Sequence, residues 1–209
     1  MPYSPKPRSS GKLPSVGRPR IFSRVANFVF GFHSRKLALA MEKSVEWHRH
    51  QKRMEGSPYA WHPFSVIATL QAAGGRNKEI LMAGLLHDAV EDRHTTYAEV
   101  QRLFGKRVVA IVREVSKRDD GSFELKTKEG MTVKMADRIH NLYTLTGSDS
   151  TYARAHAEKP GSFGLPWIQR QIKKSEELNK MYGKKMKIAN PYLYAMFTDI
   201  LTKSREKYG

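Results

Sequence analysis

Four ionisable side chains close an apolar run at Leu85, Leu86, His87, Asp88, Ala89, Val90, Glu91 and Asp92. The residues before them, Ile80 to Leu86, are apolar on nearly every side of a 3.6-residue helix. This predicts a helix buried at the centre of a domain and closing at Asp92 and Arg93. Carboxylates at such a place need a cation, because taking an unpaired one out of water costs several kcal/mol. Adjacent His and Asp are both metal-ligand types, and Glu91 and Asp92 follow His87 and Asp88 at the spacing that keeps all four on one side of a helix end. The pattern is that of a metal site with two further carboxylates beside it.

A metal needs ligands from elsewhere in the chain, and two segments offer them. Gly56, Ser57 and Pro58 force a turn, and Pro63 suits the first turn of the next helix, so His62 sits at a helix N-terminus above Val66, Ile67 and Leu70. A lone histidine there is ordinarily structural; the His87–Asp88 pair makes it a candidate ligand. Further on, Lys134, Asp137, Asn141 and Thr144 share one stripe of a helix expected over Met131 to Leu145. Its flanking Val133, Met135, Ala136, Ile139, Leu142 and Leu145 are apolar, so a buried helix with one polar strip is expected, and Asp137 is the candidate for the last ligand.

The elements that must position these residues read as helices throughout. Helices are expected over Arg35 to Lys52, from His62, over the central run, and over Tyr97 to Phe104, with Thr96 and Glu99 in the form of a capping box and Gly105 as an αL cap. Val108, Val109, Ile111, Val112 and Val115 give the next helix an apolar face. Two final helices, 167–182 and 191–207, follow a loop from Gly147 to Pro166. No segment alternates with period two long enough to make a strand, so the domain is expected to be all-α.

Composition narrows the function classes. The chain has 209 residues, no cysteine and a net charge of +17. Disulfides and zinc-thiolate sites are excluded, no stretch is long enough for a membrane span, and the protein is expected to be soluble and cytoplasmic. The basic excess favours polyanionic partners. No Asp or Glu precedes Glu42. Residues 1–34 are expected to form a basic, partly disordered extension with a short amphipathic helix from Ile21 to Phe32, a candidate contact for nucleic acid, and residues 35–209 the folded domain.

Taken together, His48 to Arg53, Gly56 to Tyr59, His62 and Pro63, Leu85 to Asp92, and Lys134 to Leu142 resemble the HD-type hydrolase domain of the RelA/SpoT homologue family. The likeness is strongest to its small members, which hydrolyse the alarmone (p)ppGpp. It covers residues 35 to about 146 and, more weakly, to about 201. The resemblance implies an HD-domain helical bundle and one divalent metal, Mn²⁺ or another divalent transition metal, held by His62, His87, Asp88 and Asp137. Oxygen ligands mixed with imidazole suit Mn²⁺. It implies that Glu91 and Asp92 act on the attacking water and that Arg53, Tyr59, Asn141 and Thr144 line the nucleotide pocket. The implied reaction removes the 3′-pyrophosphate to give GDP or GTP. The chain differs from the family pattern at Met54 and Arg93.

Two other functions fit the same residues less fully. An HD phosphohydrolase could act on another phosphorylated purine nucleotide or related substrate, such as ppApp, a dNTP or a nucleoside monophosphate. A basic nucleic-acid-binding protein on a retained fold would have lost its metal ligands, and all are present. A toxin synthetase making the same alarmone is a further candidate partner.

Overall fold

The computed structural model describes residues 34–53, 56–118, 120–146 and 165–209. The expected N-terminal tail and first amphipathic helix, Met54, and the loop over 147–164 lie outside the described residues. Among the described residues the chain forms eight helices and no strand, as the all-α expectation requires. They are α1 (Arg35–Trp47), α2 (Trp61–Ala72), α3 (Lys78–Leu86), α4 (Tyr97–Phe104), α5 (Lys106–Val115), α6 (Lys128–Thr146), α7 (Leu165–Ala189) and α8 (Pro191–Tyr208). No helix among them is long and apolar enough to cross a membrane.

Most helix starts are capped by their own sequence. Ser34 accepts from Leu37 N at 3.4 Å, Asn77 from Ile80 N at 3.1 Å, Thr96 from Glu99 N at 3.2 Å and Asn190 from Leu193 N at 2.9 Å. Each satisfies one of the donors a helix leaves unpaired in its first turn. The Glu99 carboxylate does not complete a capping box; it holds Arg102 instead. Gly105 is not an αL cap but takes φ 96° and ψ 171°, a region open only to glycine, and so joins α4 to α5 in one sharp corner.

Two helices lie at the centre. α3 is buried from Leu81 to Leu86 and packs against α1, α2, α5 and α6, while α6 also carries α7 and α8 on its far side. The all-round apolarity of α3 and the mostly apolar α6 are what such positions demand.

Three boundaries differ from the sequence expectation. α1 stops at Trp47 rather than Lys52, and residues 48–53 and 56–59 lie against each other, with Arg53 N on Ser57 O at 2.8 Å and Tyr59 N on Gln51 O at 3.0 Å. The polar run after Trp47 gains these bonds where helix would leave it without a buried face. α3 ends at Leu86, and His87 to Arg93 form successive turns closed by Asp92 N on Asp88 O at 2.8 Å, with Arg93 at φ 60°. α7 runs unbroken through Gly183, which is a contact point: a Cβ there would meet Asn179 Oδ1 at 2.6 Å and Tyr194 OH at 3.1 Å.

The end of α3 carries the His-Asp pair, and its last carbonyls lack helical partners. The buried Ser44 hydroxyl of α1 donates to Leu85 O at 2.9 Å, and the Ser116 hydroxyl lies 3.2 Å from His87 O. Two hydroxyls from two other elements thus pin the segment that presents the site. Ser44→Ala should lower unfolding stability by about 1–3 kcal/mol, the cost of a buried carbonyl left unpaired. Urea unfolding checks this; a loss under about 0.5 kcal/mol would show that the carbonyl has another partner.

Candidate metal centre

His62 comes from the first turn of α2, His87 and Asp88 from the end of α3, and Asp137 from the middle of α6. His62, His87 and Asp137 are 1%, 2% and 5% exposed. Their polar atoms converge. His62 Nε2 lies 3.2 Å from His87 Nε2, 3.5 Å from Asp88 Oδ2 and 3.3 Å from Asp137 Oδ1. His87 Nε2 lies 3.0 Å from Asp88 Oδ2 and 3.7 Å from Asp137 Oδ1. Two donors each about 2.1 Å from one ion stand about 3.0 Å apart at a right angle and about 3.4 Å apart at a tetrahedral one. The observed spacings bracket both values, so His62, His87 and Asp88 fit a divalent cation, with Asp137 Oδ1 close to both histidines.

The charges fit as well. Burial opposes every ionised group here, yet Asp88 holds the His87 imidazole well above its ordinary range, and the two histidines hold Asp88 well below the usual carboxylate range. Asp137 is likewise held well below it by Lys134 and by the same histidines. Both carboxylates therefore stay ionised in a largely dry place, which is the state a cation requires.

Each ligand candidate is held from behind. Tyr59 donates a short hydrogen bond to Asp88, and burial together with this carboxylate pushes its phenol far up, so it remains a donor. Asn141 donates to Asp137 Oδ1 at 2.6 Å, and Arg53 reaches Asn141 Oδ1 at 3.5 Å and Thr144 Oγ1 at 3.4 Å. His87 Nδ1 lies 2.9 Å from Gly84 O, and His62 Nδ1 lies 2.8 Å from His140 Nδ1. Burial, His62 and Arg53 push the His140 imidazole down to about 3.

The Glu-Asp pair lies beside the four and is itself held. Glu91 accepts from the Lys117 ammonium and from Lys117 N at 3.0 Å; Asp92 accepts from Gln51 Nε2 at 2.8 Å. Burial pushes the Asp92 carboxyl up. Both border a cavity of about 350 Å³ that also meets Tyr59, Asp88, Asp137 and Asn141. That volume lies at the lower end for a small-ligand site. Lys117, Lys134, Arg138 and Lys174 line it too. Lys134 is spent on Val115 O and Asp137, and Arg138 on Ser175 and Gln171. Burial and the facing Lys117, Arg138 and Arg170 lower the Lys174 ammonium, a sign of how closely cations crowd this wall.

The structure brings together all ten residues singled out in the sequence. Arg53 and Thr144 meet Asn141 at the edge of the cavity rather than lining it. Sequence reasoning assigned no role to Gln51, Lys117, His140 or Lys174. Gln51 and His140 stand inside the quoted motifs, so their proximity was a signal; Lys117 and Lys174 reach the site only through tertiary packing.

A family model described as HD domain matches residues 40–132. The chain is 36% identical over 126 residues to the GTP pyrophosphokinase of Streptomyces coelicolor, which covers 53% of this chain and 15% of that protein. It is 34% identical over 129 residues to the guanosine-3′,5′-bis(diphosphate) 3′-pyrophosphohydrolase of Aquifex aeolicus, covering 54% of this chain and 18% of that protein. To the Danio rerio pyrophosphohydrolase MESH1 it is 36% identical over 118 residues, 49% of this chain and 64% of that one. The chain thus spans less than a fifth of the length of the two long relatives. In fold, it is similar to the solved structure of a metazoan ortholog of SpoT, with a TM-score of 0.59 and 21% identity over 84% of this chain and 97% of that one. Over residues 40–132 the chain is thus similar to HD domains, and the relatives it matches include guanosine-3′,5′-bis(diphosphate) 3′-pyrophosphohydrolases.

Proposed function

We propose that residues 35–209 form a cytoplasmic, Mn²⁺-dependent hydrolase domain that removes the 3′-pyrophosphate of guanosine alarmones, with residues 1–34 an extension outside the catalytic unit. The observation that carries this reading is the convergence of His62, His87, Asp88 and Asp137 beside a cavity whose wall is crowded with cations. The relatives described as guanosine-3′,5′-bis(diphosphate) 3′-pyrophosphohydrolases support the substrate.

His62, His87, Asp88 and Asp137 would hold a divalent ion, which when bound would lower the pKa of a water toward neutrality and offset charge on the attacked phosphate. The chain's own side chains do the rest. Asp92, kept near Gln51 and raised by burial, suits a proton acceptor working closer to neutral pH, and Glu91 is fixed beside it by Lys117. The water oxygen bonds to the 3′ phosphorus as the bond from phosphorus to O3′ breaks; the water proton passes to Asp92, which returns a proton to O3′ so that it leaves as a hydroxyl and the carboxylate is regenerated. Lys117 and Lys174 face the departing pyrophosphate, whose charge they are placed to meet. Tyr59 and Asn141 face the nucleoside end, with Arg53 and Thr144 backing Asn141 from the edge of the cavity.

The test is product analysis after incubating the Mn²⁺-loaded protein with ppGpp, ppApp and dNTPs. GDP and pyrophosphate from ppGpp are expected. Turnover confined to ppApp or dNTPs would keep the metal chemistry and overturn the guanosine assignment.

Two sets of variants separate the roles. Asp137→Ala should lose stoichiometric Mn²⁺, measured by metal analysis after gel filtration, while Glu91→Gln should keep it and slow turnover about 10²- to 10⁴-fold. Metal lost from Glu91→Gln would make Glu91 a ligand. Lys174→Gln should raise KM about fivefold, the size of ~1 kcal/mol at a partly exposed charge contact, with kcat changed less. An unchanged KM would place Lys174 away from the phosphates.

A further inference from the structure

A neutral imidazole carries one proton, so a histidine that offers Nε2 to a cation must hold its proton on Nδ1 and needs an acceptor there. For His87 the backbone settles the matter. Its Nδ1 lies 2.9 Å from Gly84 O, which can only accept.

His62 has an imidazole at the corresponding place: its Nδ1 faces His140 Nδ1 at 2.8 Å, with ring centroids 4.9 Å apart. A separation that short holds one proton between the two nitrogens, since two protons would collide and none would set two lone pairs against each other. We propose that His140 is the acceptor, a positioning residue whose bare Nδ1 takes the His62 N–H and so keeps His62 Nε2 bare and turned toward His87, Asp88 and Asp137. The inference rests on the reading of His62 as a metal ligand.

Geometry favours this direction. If His140 donated instead, the His62 proton would sit on Nε2, 3.2 Å from His87 Nε2 and 3.3 Å from Asp137 Oδ1, inside the space a cation would take. With His62 and His87 both protonated on Nδ1, two bare nitrogens 3.2 Å apart face each other, an arrangement a cation resolves. One helix supplies both parts: His140 follows Asp137 by three residues on α6, so ligand and acceptor keep a fixed spacing. Partners that orient metal-bound imidazoles typically change metal affinity by about 10- to 100-fold when removed.

The experiment measures Mn²⁺ affinity directly, by calorimetry, for the full chain and for His140→Leu and His140→Asn. The leucine leaves the His62 N–H without an acceptor; the asparagine offers Oδ1 close to where Nδ1 stood. Expected is a Kd raised about 10- to 100-fold in His140→Leu and restored to within about threefold of wild type in His140→Asn. A Kd in His140→Leu within about twofold of wild type would overturn the inference, as would equal weakening in both variants, which would mark a packing role. A wild-type chain that takes up no Mn²⁺ would remove the metal reading and this inference with it. Should the leucine variant not fold, nitrogen NMR of labelled histidines in the diamagnetic Zn²⁺-loaded wild type decides: the His140 proton is expected on Nε2, and a proton on Nδ1 contradicts the proposal.

Discussion

Two carboxylates kept ionised where water is scarce set the terms for the rest of this molecule. Asp88 and Asp137 come from different helices, and two buried imidazoles lie between them. Asp88 favours a proton on His87 despite burial, but an imidazole must give that proton up to bind a cation. A divalent cation would satisfy both carboxylates and leave both histidines neutral. The apolar bulk of α3 and α6 is what makes the place dry enough for this to matter.

The fold serves that point by fixing each donor from a separate direction. Ser44 and Ser116 hold the carbonyls where α3 ends, so His87 and Asp88 leave the helix at a set angle. Tyr59, Asn141 and Gln51 then each hold one carboxylate oxygen. Residues 48–53 and 56–59 contribute two of these three, which gives polar stretches with little core of their own a reason to fold against the site. α7 adds the outer wall with Lys174, and α8 buries Phe197 and Leu193 to hold α7 against α6.

Much of this is legible in the amino-acid sequence. All-round apolarity predicts a central α3, and His next to Asp at its end marks where the candidate site lies. The stripe through Asp137 predicts a buried α6 with one polar strip. Helix ends are less legible, for identifiable reasons. The turns after Leu86 keep Asp92 N bonded to Asp88 O, so the four-residue spacing survives although the helix does not. The helix expected over 167–182 runs on past Gly183, where the missing Cβ makes room for Tyr194. Lys117 lies 26 residues from Glu91 and Gln51 lies 41 from Asp92, and no local pattern announces either pairing. His140 carries a signal, a second histidine on the Asp137 helix, but its partner His62 is 78 residues away.

The central claim concerns a place. Anomalous diffraction from crystals grown with Mn²⁺ tests it most directly, because the signal reports the ion independently of any activity. The account predicts one strong peak within bonding distance, about 2.1 Å, of His62 Nε2, His87 Nε2 and oxygens of Asp88 and Asp137. A peak elsewhere, or none at saturating Mn²⁺, would contradict it.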